Sequence, residues 1–350
     1  VFVSIEGGIP MIHNIALAGC GNVGTALLEI LNEKRMELSE KYGFNFRVTL
    51  ITDLMKGTVL DPEGLDLEKI VENLKEGKGF DPFPKGEGTF GELLEKSRAT
   101  MLAEATPTDL KTGEPGLSHI RAALSRGIHV TTTNKGPVAV AFDELSTLAD
   151  TCGAKFRYEG VVMSGTPLIQ MLRSGMAGCT ILKLEGILNG TTNFILTKMS
   201  NEGSSYAEAL EEATSLGYAE ADPSGDVLGW DAAGKVSILA KVIFGKDIPV
   251  TEVERQGITG VTPENIKEAF DNGYTVKLIA GLNWINGILY AYVTPKEIPL
   301  SHPLASIRGA TNAVTITSDN LGEVTLIGPG AGRRETGQAL LTDLIAMCRY

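Results

Sequence analysis

One short stretch, Gly217 to Lys235 (GYAEADPSGDVLGWDAAGK), concentrates the side chains that could carry chemistry. Its ionisable residues are Glu220, Asp222, Asp226, Asp231 and Lys235. Proline and glycine in its first half indicate a loop, and from about Val227 the apolar spacing becomes helical. Asp231 and Lys235 would then lie one turn apart on one helix face. A lysine held there beside a carboxylate could move a proton to and from a substrate.

The alternative for this pair is a solvated surface ion pair, which is common and contributes little to stability. Two features favour a functional pair. The preceding loop is rich in carboxylates, and Trp230 with the apolar continuation VSILAKVIF predicts a largely buried helix.

A glycine-rich turn near the start predicts a dinucleotide site. The segment HNIALAGCGNVGTALLEIL reads as strand, turn and helix, with G-x-G-x-x-G formed by Gly19, Gly21 and Gly24. The first glycine permits the tight turn, the second lets a pyrophosphate approach the backbone, and the third allows close packing of helix on strand. With Asn22 and Val23, these residues open a helix whose N-terminus faces the phosphates.

The acid that would hold the cofactor ribose ends the next strand. FRVTLITD is apolar and β-branched and ends at Asp53. This position lies further from the glycines than the usual ~20 residues, which the helix-forming stretch 33–41 explains as a longer first helix. Lys56 follows closely and could meet a 2′-phosphate, so both NAD and NADP stay open. A plain turn acid at the strand end is the alternative for Asp53.

Two further strands carry candidate cofactor contacts at their carboxyl ends. ATMLAEATPTD leads into Thr106, and IHVTTTNKGPVAV leads into Lys135. Loops at these ends of parallel strands line the cofactor crevice. We therefore predict that Thr106 and Lys135 contact the cofactor.

The pattern predicts an α/β protein with two domains. Residues 11–150 form a Rossmann-type dinucleotide-binding domain, on which a C-terminal helix in 330–350 packs. Residues 151–329 form an α+β domain for substrate binding and dimerisation, with short strands from Tyr274 onward in an antiparallel or mixed sheet. Trp284 and Tyr290 mark an exposed sheet edge, which predicts a homodimer.

Composition excludes several classes of function. The chain has 350 residues, a net charge of -12 and a pI near 5.0, which argues against nucleic-acid or anionic-membrane surfaces. No apolar run reaches the ~18 residues of a membrane span. Residues 1–10 lack the features of a signal peptide. The four cysteines, without a C-x-x-C pair, predict a cytoplasmic protein without a zinc site.

Together these motifs resemble the homoserine dehydrogenase family from Gly19 to the C-terminal helix. GYAEADPSGDVLGWDAAGK is close to the family pattern G-Y-x-E-x-D-P-x-x-D-x-x-G-x-D-x-x-x-K. TTNKGPVA, YEGVVMSGTP, EGILNGTTNFIL and GPGAGRRETG match in the same order. The resemblance implies interconversion of L-homoserine and L-aspartate 4-semialdehyde with NAD(P), in threonine, methionine and isoleucine biosynthesis.

The resemblance also implies roles for individual residues. Lys235 corresponds to the acid–base lysine and Asp231 acts with it. Glu220, Asp226 and Asp231 correspond to substrate-side acids, and Lys135 to a lysine beside nicotinamide and substrate. Thr106 and Gly332 correspond to cofactor contacts.

The family pattern further implies a monovalent cation such as sodium. Its ligands would be Glu159, Val162, Ser164 and Thr166, through one carboxylate and mostly backbone carbonyls. The chain departs from the family here, with G-V-V-M-S-G where A-x-V-G-G-G is common, and backbone ligation would survive that change. We also expect a short form without the C-terminal ACT domain of many relatives, and no threonine feedback through one.

Other functions stay open on the sequence alone. A sugar-dehydrogenase-like enzyme would use Lys135 as the proton donor but leave Glu220 to Lys235 unexplained. An acyl-enzyme route needs a thiolate at a helix start, whereas Cys20 lies in the phosphate loop and Cys152 near a helix end. A nucleotide-sensing protein without catalysis would bind the cofactor without turnover, against which the complete acid-and-lysine stretch argues.

Overall fold

The chain forms two compact units in a computed structural model that describes residues 11–349. One unit runs to Val161 and resumes at Gly332, and the other spans Val162–Ala331. The expected boundaries at 150/151 and 329/330 therefore move to 161/162 and 331/332. The expectation for residues 1–10 lies outside the described residues. Within 11–349, no helix is long and apolar enough to cross a membrane.

The first unit is built on a six-stranded sheet of order β3-β2-β1-β4-β5-β6. Its strands are β1 (Ile12–Ala18), β2 (Asn45–Asp53), β3 (Gly57–Leu60), β4 (Met101–Glu104), β5 (His129–Thr132) and β6 (Phe156–Arg157). All neighbours are parallel except β2 and β3, which form a hairpin. This is the strand order of a Rossmann sheet, which confirms the predicted fold class.

Helices cover both faces of this sheet. They are α1 (Asn22–Glu33), α2 (Arg35–Tyr42), α3 (Leu67–Lys75), α4 (Phe90–Lys96), α5 (Gly116–Leu124), α6 (Lys135–Thr151) and, from the C-terminus, α13 (Arg333–Arg349). On β1, Ile15 and Leu17 join the core beneath α1 and α13, whereas Ala16 and Ala18 join the opposite core. The alternation follows the two-residue period of a strand.

Three local features differ from expectation. The stretch 33–41 does not extend the first helix, because the chain leaves helical geometry at Lys34 and resumes as α2. The hairpin strand β3 was not predicted; Gly57, at φ +87°, permits the reversal from β2. The strand near Phe156 is β6 of the first sheet, which accounts for the shifted boundary.

The second unit has a mixed sheet, as predicted, and its strand order is β12-β11-β7-β9-β10-β8. Its strands are β7 (Ile181–Ile187), β8 (Glu254–Arg255), β9 (Tyr274–Ile285), β10 (Ile288–Pro299), β11 (Thr311–Ser318) and β12 (Gly322–Pro329). Its helices are α7 (Leu168–Gln170), which continues as one π turn, α8 (Gly190–Glu202), α9 (Tyr206–Ser215), α10 (Ser224–Val227), α11 (Trp230–Phe244) and α12 (Pro263–Asp271). Helices α8, α11 and α12 pack on β9, and Asn189 at the start of α8 bonds to Asp231 of α11.

Candidate active site

Helix α11 holds a lysine–carboxylate pair in which the lysine is buried and the carboxylate is half-buried. Lys235 Nζ lies 2.6 Å from Asp231 Oδ2 and donates to the carbonyl oxygen of Leu188 at 2.7 Å. Only 6% of Lys235 is exposed. The pair is therefore not the solvated surface contact that the bare spacing would allow. Its ammonium donates to one acceptor on its own helix and to another in the loop between β7 and α8.

Asn189 connects this pair to the carboxylate loop. As the N-cap of α8, its side-chain oxygen accepts from the Thr192 N–H at 2.9 Å. Its amide nitrogen donates to Asp226 Oδ1 at 2.6 Å and to Asp231 Oδ2 at 3.0 Å. Thr191 Oγ1 lies 2.9 Å from the other oxygen of Asp226. The start of α8 thus holds both aspartates in fixed positions.

A break between two helices sets the position of Asp231. Gly229, at φ +82°, separates α10 from α11, where a side chain would be strained. Asp231 then falls in the first turn of α11, where the helix dipole favours a carboxylate. Trp230 is not part of the buried face as expected: it is 40% exposed, and the Arg255 guanidinium lies 3.5 Å from its ring centroid.

Glu220 differs from the two aspartates. Its side chain is exposed, and within residues 11–349 it makes no hydrogen bond or ion pair. The loop that carries it is close to the start of α8, since the Tyr218 carbonyl lies 2.7 Å from Thr191 Oγ1. A carboxylate in this setting can take an ammonium group from solution.

In the first unit, the glycine-rich turn has the geometry that the motif predicts. A β-carbon on Gly19 would collide with the backbone of Ala105, and one on Gly24 with the carbonyl of Gly19. Gly21 faces open space and precedes α1 without a side-chain cap. The backbone N–H groups of Asn22 and Val23, in the first turn of α1, are therefore suited to bind an anion.

Asp53 is anchored within the same turn. Its carboxylate accepts from the backbone N–H groups of Cys20 at 2.8 Å and of Met55 and Lys56 at 3.0 Å. Burial acts to raise the pKa of Asp53, but these donors hold it below its usual value. Lys56 Nζ donates to the Cys20 carbonyl at 2.8 Å. Acid and lysine thus both border the glycine-rich turn.

Thr106 and Lys135 follow the carboxyl ends of β4 and β5. Lys135 is half-buried and is the first residue of α6 rather than a loop residue, with Asn134 as the N-cap. Thr106 bonds to the buried Glu104 through both its N–H and its hydroxyl. Glu104, Asn134 and Asn189 were not among the functional residues predicted from the sequence. The two asparagines could have been found, because each directly precedes a helix, as N-caps do.

The remaining predicted residues fall in both units. Glu159, in the first, is 3% exposed and donates its N–H to Asp343. Gly332, at φ +142°, precedes α13 and accepts from the Thr336 N–H at 3.0 Å. In the second unit Val162, Ser164 and Thr166 are buried, and Thr166 Oγ1 donates to the Pro329 carbonyl. The described residues contain no group of three or more His, Cys, Asp or Glu arranged as a metal site.

Comparison with known proteins decides the family. The homoserine dehydrogenase family model matches residues 167–345. The NAD(+)-dependent homoserine dehydrogenase of Pseudomonas canavaninivorans is 43% identical over 338 residues, covering 95% of each chain. The chain belongs to the homoserine dehydrogenase family.

Solved structures agree with this membership. A putative homoserine dehydrogenase from Archaeoglobus fulgidus has a TM-score of 0.85 at 36% identity, covering 96% of this chain and 99% of that one. A mutant of a hyperthermophilic archaeal homoserine dehydrogenase, in complex with NADPH, has a TM-score of 0.81 at 35% identity, with coverages of 97% and 98%. The protein is thus an NAD(P)-dependent oxidoreductase of amino-acid biosynthesis.

Proposed function

We propose that this chain interconverts L-homoserine and L-aspartate 4-semialdehyde, with Lys235 as the acid–base group and Asp231 as its partner. The observation that carries the proposal is the Lys235–Asp231 pair on α11. Asn189, the N-cap of α8, bonds to both Asp231 and Asp226. A buried amine with fixed hydrogen bonds is a group that can transfer a proton in a defined direction.

The reaction requires one proton and one hydride to leave the alcohol. In the oxidative direction the neutral amine of Lys235 takes the hydroxyl proton and becomes an ammonium, and in the reverse direction the ammonium returns that proton to the carbonyl oxygen. Nicotinamide, when bound, accepts or supplies the hydride. The Leu188 carbonyl and Asp231 orient the Lys235 amine. The amine would therefore meet the substrate oxygen in a fixed geometry.

Substrate recognition divides between the acids and the start of α8. The exposed Glu220, together with Asp226 and Asp231, offers negative charge for the substrate ammonium. The N–H groups of Gly190 and Thr191, which open α8, suit its carboxylate, whereas the Thr192 N–H already bonds to the Asn189 side chain. An amino acid would therefore be held at both charged ends.

The first unit would bind the cofactor. Gly19, Gly21, Asn22, Val23 and Gly24 would hold the pyrophosphate, where the structure leaves Gly21 open. Asp53 would take the ribose hydroxyls of NAD, or Lys56 the 2′-phosphate of NADP. Thr106, Lys135 and Gly332 would lie toward the nicotinamide.

We also propose a monovalent cation such as sodium, bound by Glu159 and oxygens of Val162, Ser164 and Thr166. The donors fit a hard cation because they are oxygens. Met163 and Ser164 have φ of +61° and +52°, an unusual pair for residues other than glycine, which supports a functional turn. Activity in sodium, potassium and tetramethylammonium chloride at equal ionic strength tests it; equal rates in all three refute it.

A homodimer is the proposed assembly, and the cytoplasm the proposed compartment, which four free cysteines suit. Tyr290 and Ile327, on strands of the second sheet, are 46% and 53% exposed and could form the contact. Trp284 is not at a sheet edge as expected, because its strand β9 lies between β7 and β10, and its ring contacts Phe244. Light scattering should give twice the mass of the chain, and Tyr290→Glu should shift it toward the monomer. A monomeric parent at micromolar concentration refutes the dimer.

One assay tests the reaction against its alternatives. Oxidation of NADH and NADPH is followed with L-aspartate 4-semialdehyde and, in parallel, with a panel of sugars and oxo acids. Turnover restricted to the semialdehyde supports the proposal. Turnover with sugars favours a Lys135-based dehydrogenase, and cofactor binding without turnover favours a nucleotide sensor.

A further inference from the structure

Glu104 is a buried acid that none of these roles uses. It is the last residue of β4 and has no exposed surface. Its Oε1 accepts from the Thr106 N–H at 2.9 Å and from the Thr106 hydroxyl. Its Oε2 accepts from the Thr132 hydroxyl at 2.7 Å. One side chain therefore bonds to residues at the ends of two neighbouring strands.

The network continues to the start of α6. Thr132 Oγ1 accepts from the Asn134 N–H at 3.0 Å while it donates to Glu104. The Asn134 amide nitrogen donates to the Pro107 carbonyl at 3.2 Å, and its oxygen caps α6 by accepting from the Gly136 N–H at 3.0 Å. Lys135 lies between Asn134 and Gly136 in the sequence. Its backbone position therefore depends on the same bonds that hold the loop after β4.

Glu104 is closely packed and has no cationic partner among the described residues. Within residues 11–349, Glu104 forms no ion pair with a lysine or arginine. A β-carbon on Gly116 would lie 2.7 Å from the Asn134 amide nitrogen and 3.1 Å from Glu104 Oε2, so the group is closely packed. Burial raises the pKa of Glu104, against the hydrogen bonds from Thr106, Thr132 and Asn134. Burying an acid without a cationic partner costs folding free energy, which indicates that Glu104 has a role other than stabilising the fold.

We propose that Glu104 is a positioning residue for the cofactor-binding edge of the first sheet. Through Thr106 on one side and Thr132 and Asn134 on the other, it fixes the loops after β4 and β5 relative to each other. The inference rests on the proposed cofactor contacts of Thr106 and Lys135. If this is so, a substitution of Glu104 lowers the affinity for the cofactor, although Glu104 itself does not contact the cofactor.

The test uses the full chain with three variants and one control. Glu104→Gln keeps the shape but replaces an acceptor with a donor. Thr132→Val keeps Glu104 and removes the hydroxyl link, and the double variant combines them. Ser97→Ala removes a different buried hydrogen bond of the same unit, that of Ser97 Oγ to the Leu94 carbonyl. For each we measure the Kd of NADH by fluorescence, the KM of homoserine at saturating cofactor, and the melting temperature.

We expect Glu104→Gln and Thr132→Val each to raise the Kd of NADH by about tenfold, on the scale of small misplacements at a site. The double variant should be no weaker than the poorer single variant, because both act through one network. The homoserine KM should stay within about threefold. Ser97→Ala should lower the melting temperature and leave the Kd unchanged.

Three results overturn the proposal. They are an unchanged Kd in both single variants, multiplicative effects in the double variant, and a Kd that rises in Ser97→Ala to the same extent. If the parent binds NADH but does not turn over aspartate semialdehyde, the proposed reaction is wrong, and the Kd comparison still decides the role of Glu104. A parent that binds neither NADH nor NADPH refutes both.

Discussion

Replacing Lys235 tests the proposed chemistry most directly. The Lys235→Met variant keeps an apolar stem within the buried face of α11 and removes the amine that Asp231 and the Leu188 carbonyl orient. Asp231 cannot substitute for it as a donor, because a carboxylate only accepts hydrogen bonds. We expect kcat to fall by roughly 10²-fold or more, which corresponds to about 2.7 kcal/mol of barrier.

Stability should suffer much less than catalysis. The side chain of Asp231 is 23% exposed and keeps its bond from Asn189, so its carboxylate is not left fully buried and unpaired. The loss should be about 1–3 kcal/mol, seen as a lower melting temperature of a folded protein. The affinity for NAD(P)H should stay within about twofold, because Lys235 is proposed to act on the substrate.

The assay is steady-state kinetics in both directions, with NAD(P)H binding measured separately. Lys241→Met is the matched control: Lys241 lies on the same helix, its side chain is 17% exposed, and it pairs with Asp247 instead of Asp231. The control should keep kcat within about twofold. Lys235→Arg should not restore activity, because a guanidinium does not release its proton near neutral pH.

A clear result would refute this reasoning. If Lys235→Met keeps kcat within about threefold while Lys135→Ala abolishes turnover, the proton donor is Lys135. The arrangement of a sugar dehydrogenase would then describe the site better.

The remaining predictions concern the cofactor, the substrate and pH. NAD should be used at least as well as NADP, because the Asp53 carboxylate repels a 2′-phosphate; a tenfold NADP preference in kcat/KM would mean that Lys56 dominates. Glu220→Gln should raise the homoserine KM by about tenfold with kcat within threefold, and an equal rise in Asp222→Asn would contradict a specific role. Burial, then Arg308, lowers the pKa of Lys277 to about 8, so its contribution to stability is complete above about pH 10.4 and is lost as the pH falls to 8. Relative to Lys277→Met, the parent should gain up to about 1.4 kcal/mol per pH unit over that window; a constant difference in melting temperature would refute it.

Much of the fold and site could be predicted because the signals are local. Glycine is required at Gly19 and Gly24 because a β-carbon there would collide with the backbone of Ala105 and of Gly19 respectively, whereas Gly21 faces open space. Asp231 and Lys235 meet because helical residues four apart share a face. The apolar strands and helices of the first unit likewise follow their periods of two and 3.6 residues.

Patterns near the edges of elements were less reliable. The break at Lys34 and the hairpin strand β3 have weak local signals, since a short edge strand and a single non-helical residue hardly change the hydrophobic pattern. Trp230 and the apolar run after it were expected to mark a largely buried helix. Trp230 is instead 40% exposed, and the Arg255 guanidinium from β8 lies over its ring.

The sequence by itself determined the family, the cofactor-binding motif and the residue types of the site, since each is encoded in a run of neighbouring residues. Only the tertiary structure decided which groups hold one another. Asn189 reaches Asp231 across 42 residues of sequence, and Glu104 reaches Thr132 across 28. Such pairs form only when distant strands and helices pack together, because a buried polar group needs a hydrogen-bond partner and the tertiary fold determines which groups lie within reach.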